Sequence, residues 1–214
     1  AEVSQVLIAL DATEEVVDEA IREGAQMVIT HHPIIFRPIK RLAEENRQQR
    51  TIAKAIRHGI ALYAAHTNLD SAPEAGISHH LARLFGVQVE GLLEQGSEEG
   101  VGIGVVGVLP RAENAKALLA RVKSRFGVEA LRYSDIPSED MMVRKVAVCT
   151  GAGRSNIGDA LASGAELYIT ADLRYNDFMM GDNRMILADI GHFESEFCAI
   201  RILYDVLSKK MCNF

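Results

Sequence analysis

A repeated strand–helix–strand pattern constrains the fold of this chain more than any other feature. Shifted by 140 positions, Val6–Thr30 aligns without a gap on Val146–Thr170, and seven of the 25 paired positions are identical. Each copy opens and closes with a short apolar run, which is typical of buried parallel strands. We therefore predict an α/β fold with a mainly parallel sheet and an internal duplication. The alternative is that two unrelated strand–helix–strand units converged on similar patterns.

Composition excludes several classes of protein. The formal charge of −6 leaves no basic footprint for nucleic acid. No apolar stretch approaches the roughly 20 residues that span a bilayer, so no membrane contact is expected. The three cysteines, Cys149, Cys198 and Cys212, are odd in number and lack C-x-x-C spacing. We therefore expect a reducing, cytoplasmic environment rather than a disulfide scaffold.

Three segments carry imidazoles and carboxylates directly after apolar runs. They contribute His31 and His32, then His66 and Asp70, and finally His192 and Glu196. Strand ends at the carboxyl edge of an α/β sheet commonly meet in one cleft. Histidines and carboxylates without cysteine suit borderline or hard divalent ions. The sequence therefore predicts one metal site that holds two divalent ions, with zinc, manganese and iron as the candidates.

The spacing of these residues suggests how two ions are shared. His192 and Glu196 lie four apart, so on a helix both side chains share a face. His31 and His32 are neighbours on a strand end, where adjacent side chains diverge and can reach different ions. Glu196 has two carboxylate oxygens, which makes it the natural bridge between the ions.

For several other polar residues the sequence leaves alternative roles open. His66 is either a ligand or a hydrogen-bond partner of one. Asp172 stands where the second copy replaces His32, so we expect it beside the metals, orienting a ligand or a bound water. Arg174 either steadies an anionic substrate group or makes a surface salt bridge. Gly151–Gly153 precedes a predicted helix and is a weaker candidate for phosphate binding.

Five motifs together resemble a known family. They are Leu-Asp-Ala-Thr, Ile-Thr-His-His-Pro, His-Thr-Asn-Leu-Asp, Ile-Thr-Ala-Asp-Leu-Arg-Tyr and Gly-His-Phe-Glu-Ser-Glu. Over nearly its whole length the chain resembles the GTP cyclohydrolase I type 2 homologues, which are Nif-three-like dinuclear metal-binding proteins. The resemblance implies these metal ligands: His31, His32, Asp70, His192 and Glu196.

The resemblance also implies an architecture. It suggests two similar, interlocked α/β lobes, residues 1–96 and residues 97–214, with the metals in the cleft between them. The first lobe would supply His31, His32 and Asp70, and the second His192 and Glu196. There is no room for the inserted third domain of longer members. The assembly implied is a ring-shaped homohexamer, a trimer of dimers.

Two functions fit this site. A pair of metal ions can generate a hydroxide and stabilise a hydrolytic transition state. The first hypothesis is therefore a metal-dependent hydrolase, similar to GTP cyclohydrolase, that acts on a nucleotide or a related small polar molecule. The alternative is a non-catalytic metal-binding or regulatory protein that serves as an interaction platform. The sequence does not identify the substrate or any catalytic residue.

Overall fold

The computed structural model describes residues 2–73 and 75–211, which form an α/β fold with two sheets. The chain divides into two compact units. The first contains the described residues up to Leu69 together with those from Ala199 onward, and the second contains the described residues of Asp70–Cys198. Among the described residues, no helix is long and apolar enough to cross a membrane.

The first unit is built on a parallel sheet of three strands. The strands are β1 (Val6–Ala9), β2 (Met27–Thr30) and β3 (Ala61–Ala64), in that order. The helices of this unit are α1 (Glu14–Glu23), α2 (Arg47–Arg57) and α8 (Ala199–Lys210). The short helix α3 (Thr67–Asp70) follows β3 and ends at the boundary between the units.

Local sequence signals account for where helix α1 begins and ends. The Thr13 hydroxyl accepts a hydrogen bond from the Val16 amide at 3.2 Å and so caps the first turn. Gly24 ends the helix with a φ of 72°, a left-handed conformation that glycine adopts without a steric penalty. The buried side chains of Val17 and Ala20 pack against the sheet in one apolar cluster. Burial of this face anchors the helix beside β1 and β2.

The second unit is built on a mixed sheet of six strands. In spatial order they are β4 (Gln88–Gln95), β5 (Gly102–Asn114), β7 (Met142–Val148), β8 (Leu167–Thr170), β9 (Ile186–Asp189) and β6 (Arg132–Tyr133). Strands β7, β8 and β9 are parallel, and the remaining pairs are antiparallel. The helices are α4 (Ile77–Phe85), α5 (Ala115–Phe126), α6 (Ile157–Ala162) and α7 (His192–Glu196), with 3₁₀ turns at Gly153–Asn156 and Tyr175–Gly181.

The parallel strands of the two units pair in the same register. Equivalent partners are Val6↔Met27 and Val146↔Leu167, followed by Met27↔Ala61 and Leu167↔Ile186. The first pair matches at the same shift of 140 positions that aligns the sequences. The connecting turns also agree, because Gly24 and Gly164 adopt φ values of 72° and 77°.

The compact units have different bounds from the lobes expected at residues 1–96 and 97–214. Strand β4 pairs along its length with β5, so the residues from Asp70 to Gln95 belong to the six-stranded unit. Helix α8 contacts β1, and the chain therefore returns to the first unit at its end. The sequence predicts a helix from roughly Glu74 to Phe85. In the structure this helix, α4, begins at Ile77, and residue 74 lies outside the described residues.

Candidate metal-binding residues

His31 follows β2 directly and is completely buried. Its Nδ1 lies 2.8 Å from the backbone oxygen of Ala65, which follows β3. A carbonyl oxygen can only accept, so Nδ1 carries the hydrogen and donates it. This bond fixes the tautomer and the orientation of the ring, an arrangement that is common in histidines that bind metals.

His32 is held in a similar way by a carboxylate. Its Nδ1 donates to Asp11 Oδ1 at 2.9 Å. Asp11 lies two residues beyond the end of β1, the strand that pairs with the one that delivers His32. From the sequence alone, Asp11 is a candidate cap for α1, a role that Thr13 fills instead. The sequence signal that could have indicated this contact is the position of Asp11 just after an apolar run predicted as a parallel strand.

Three of the imidazoles of the first unit, those of His31, His32 and His66, form one group. His66 lies after β3, and its ring centroid is 5.3 Å from that of His31 and 5.7 Å from that of His32. One ring nitrogen from each of the three residues lies within 4.8 Å of the others, close enough to hold an ion. Three nitrogen donors match the preferences of zinc and other borderline divalent ions. The donor set therefore fits a metal.

In the second unit, His192 stands between two carboxylates. Its Nδ1 donates to Asp172 Oδ2 at 2.8 Å, and its Nε2 lies 2.9 Å from Glu196 Oε2. His192 and Glu196 open and close α7, so the spacing of four places both on one helical face. The hydrogen bond to Glu196 raises the pKa of His192 to about 9, with Asp172 adding to the effect and partial burial opposing it.

The buried carboxylate of Glu196 is positioned by a glycine turn. A Cβ atom on Gly151 would lie 2.3 Å from Glu196 Oε1, so only glycine permits this close approach. The Gly151 amide donates to Ser195 Oγ at 2.9 Å, and Ser195 Oγ donates in turn to the His192 carbonyl at 2.8 Å. The turn is thereby fastened to the helix that carries both side chains.

This turn does not have the geometry expected of a phosphate site. The Gly151 amide is used by Ser195, and the Gly153 amide donates to Thr170 Oγ1 at 3.1 Å. Both amides are therefore satisfied inside the protein. The two glycines between the strand and the helix instead allow close packing against Glu196 and Thr170.

The remaining candidates lie at element ends. Asp70 closes α3, is partly buried and belongs to the second unit by its contacts. Its carbonyl lies 2.6 Å from the position that a Cβ on Gly76 would take, so the turn leading to α4 is tightly packed. Arg174 is exposed, and its backbone amide donates to Asp177 Oδ2 at 2.8 Å. Two of the expected groupings are thus formed within single units: His31, His32 and His66, and Asp172, His192 and Glu196.

Comparison with known proteins identifies a family for this chain. The chain matches the family described as Duf34/NIF3 (NGG1p interacting factor 3) over residues 1–214. A protein of Clostridium perfringens named GTP cyclohydrolase 1 type 2 homolog is 36% identical over 200 residues, which cover 91% of this chain and 74% of that protein. The homologue of the same name from Streptococcus pneumoniae is 35% identical over 195 residues, covering 89% of this chain and 72% of that protein.

Solved structures with a similar fold are known. A hypothetical protein of Staphylococcus aureus superposes with a TM-score of 0.88 at 25% identity, over 98% of this chain and 80% of that one. Reduced HcgD from Methanocaldococcus jannaschii gives a TM-score of 0.79 at 25% identity, over 98% of this chain and 81% of that one. The match along the whole sequence and the identity to the named homologues place this chain in the DUF34/NIF3 family.

Proposed function

We propose that this protein binds two divalent metal ions and hydrolyses a nucleotide or a related small polar molecule. The observation that carries the proposal is the group of His31, His32 and His66, whose ring nitrogens lie within 4.8 Å of one another. The proposed ligands are His31, His32, Asp70, His192 and Glu196. His66 joins them as a further ligand or as the hydrogen-bond partner of one.

The residues around these ligands have positioning roles. Asp11 and Asp172 accept from Nδ1 of His32 and His192, and this arrangement orients the imidazoles and increases the basicity of Nε2. Glu196 is buried, with Oε2 beside His192 Nε2 and Oε1 close to Gly151. These contacts suit a carboxylate that must hold one geometry. When bound, the metal pair would supply a hydroxide near neutral pH and neutralise negative charge that develops on the substrate.

The substrate class in this proposal follows from the family. Relatives at 30–36% identity carry the name GTP cyclohydrolase 1 type 2 homolog, which points to a nucleotide. Arg174 is exposed beyond β8 and is available to an anionic group of such a molecule. A purely regulatory metal-binding protein remains the competing function, and turnover separates the two.

Three further proposals accompany this function. We infer that the chain arose by internal duplication, which the equal strand register supports. We infer a homohexamer built as a trimer of dimers, because closed symmetry is usual for homo-oligomers and the family resemblance suggests it. A cytoplasmic location, expected from the cysteines, completes the proposal.

The function is tested by metal analysis and turnover on the same preparations. The purified protein is stripped with a chelator, reloaded with zinc, manganese or iron, and assayed against nucleotides and phosphoesters. We expect turnover only after reloading. His31→Ala should lose metal and activity together, because it removes a buried donor whose orientation is fixed by Ala65.

His58→Ala is the matched control, since His58 is an exposed histidine that follows α2. It should keep the metal content and the activity of the parent protein. Stoichiometric metal without turnover on any compound of the screen would favour the regulatory function. A His31→Ala protein with unchanged metal content would contradict the proposed site itself.

A further inference from the structure

The segment that follows the histidines differs in charge from the rest of the chain. The protein carries a formal charge of −6, yet residues 33–43 contain three cations and no carboxylate. Arg41 pairs with Glu45 at 2.8 Å. Within the described part of the chain, neither Arg37 nor Lys40 forms an ion pair, and both are exposed. Two cations are therefore available to an anion just beyond His32.

Phe36 is exposed to an unusual degree for an aromatic residue. Its relative exposure is 73%, although a phenylalanine is normally at least partly covered. The ring centroid lies 6.2 Å from that of His66, at an interplanar angle of 80°. Phe36 therefore offers an aromatic surface at the edge of the histidine group.

The segment is anchored just before Phe36. Gln48 Nε2, on α2, donates to the Ile34 carbonyl at 2.5 Å. Ile34 and Ile35 also line an apolar cavity of about 330 Å³ together with Ile52 of α2. These contacts fix the backbone next to the exposed ring. A planar group that lies on Phe36 is thus held at a set place beside His66.

We propose that Phe36, Arg37 and Lys40 form a nucleotide-binding subsite. Phe36 stacks on the heterocyclic base, and Arg37 and Lys40 bind the phosphate, so the ligand class is a phosphorylated nucleoside. Stacking accepts any base, because every base presents a π-face, and the two cations supply the requirement for an anion. This inference rests on the proposed function, since it positions the substrate of the same metal site.

The absence of tryptophan from the sequence provides a direct probe. Phe36→Trp introduces a single indole, whose fluorescence is quenched when a base stacks on it. Guanosine 5′-monophosphate is titrated into the chelated and the zinc-loaded protein, with guanosine and ribose 5-phosphate as partial ligands. We expect saturable quenching by the nucleotide, weaker binding of guanosine, and no quenching by ribose 5-phosphate.

Tyr204→Trp is the matched control. Tyr204 is an exposed aromatic residue of the same unit, and it lines a cavity with Val6 and Met27, at the starts of β1 and β2. The histidines and Phe36 follow the other end of β2. The nucleotide should leave the fluorescence of this variant unchanged.

Further variants separate the two halves of the subsite. Phe36→Ala should raise the Kd for both the nucleotide and guanosine by about tenfold, through loss of stacking. Arg37→Gln and Lys40→Gln should raise the Kd for the nucleotide several-fold and leave guanosine unaffected. Arg22→Gln changes an exposed arginine in the last turn of α1 and should have no effect on either ligand.

The outcomes distinguish this inference from the function beneath it. Hydrolysis without quenching of Phe36→Trp, in chelated and zinc-loaded protein alike, would overturn the subsite and leave the hydrolase intact. Quenching by the nucleotide without turnover under any metal would support the subsite and contradict the hydrolase. Equal quenching of the Tyr204→Trp protein, or by ribose 5-phosphate, would also overturn the subsite.

Discussion

At the scale of single residues, three histidines share one arrangement. His31, His32 and His192 each donate through Nδ1, to a backbone carbonyl or to a carboxylate. Each ring is thereby oriented with Nε2 on the opposite side, as in histidines that bind metals. Histidines with only structural roles would have no reason to use Nδ1 as the donor in all three cases.

The two carboxylates in this arrangement give a first prediction. Asp11→Asn and Asp172→Asn should each lower metal affinity by about 10- to 100-fold, because a neutral amide is a weaker acceptor than a carboxylate and no longer increases the basicity of the imidazole. Competition with a fluorescent chelator measures the affinity. Asp205→Asn, which alters only an exposed pair with Arg201 on α8, should leave it unchanged. Unaltered affinity in the Asp172 variant would mean that its position is merely inherited from the repeat.

Gly151 gives a second prediction at this scale. Gly151→Ala introduces both a strained φ of 64° and a Cβ clash with Glu196 Oε1, so it should lose metal as well as stability. Gly164→Ala has the same kind of strain, with a φ of 77°, but no atom lies within 4 Å of its Cβ. We expect the control to lose about 1–2 kcal/mol of unfolding free energy and to retain its metal. Equal metal content in the two variants would contradict the role of Gly151.

More of the structure can be predicted from the sequence at the scale of helices and strands than at the scale of single contacts. Local apolar runs and caps such as Thr13 located α1 and its flanking strands, because their signals lie within a few residues. The boundaries of the two compact units could not be predicted from such local signals. The pairing of β4 with β5 and the return of α8 to β1 depend on contacts between distant segments, which no local pattern encodes.

The same distinction applies to the site. Strand-end histidines and the spacing of His192 and Glu196 are visible in the sequence, so their local groupings could be predicted. The roles of Asp11, Ser195 and Gly151 depend on which loop lies against which strand end. Those contacts are set by the fold, and the residue types alone are equally consistent with caps and turns.

Helix packing gives a prediction for the repeated units. Ala20 of α1 and Ala160 of α6 occupy equivalent positions and are both completely buried against their sheets. Ala20→Leu and Ala160→Leu should each cost about 1–3 kcal/mol, because there is no space for the added atoms. Urea unfolding measures the loss. The exposed Ala162→Leu, on α6, should change stability little, and tolerance of leucine at Ala20 or Ala160 would contradict the described packing.

At the scale of the whole molecule, the proposed assembly is open to a direct measurement. The 214-residue sequence has a mass of 23.4 kDa. If the homohexamer forms, light scattering coupled to size exclusion should give six times this mass at micromolar concentration. A mass of one subunit would contradict the hexamer without affecting the proposed metal ligands, because the group of His31, His32 and His66 and the pair of His192 and Glu196 each form within a single unit.

The central claim, that two ions share the carboxylate of Glu196, is tested most directly by the metal content of Glu196→Gln. The change keeps the shape of the side chain and removes the charge that screens two nearby cations from each other. Elemental analysis should show that Glu196→Gln loses metal at both positions, whereas His31→Ala or His32→Ala mainly empties one. Glu194→Gln alters an exposed glutamate two residues earlier on α7 and should retain the parent content. A Glu196→Gln protein that keeps two metal ions per chain would contradict the bridge.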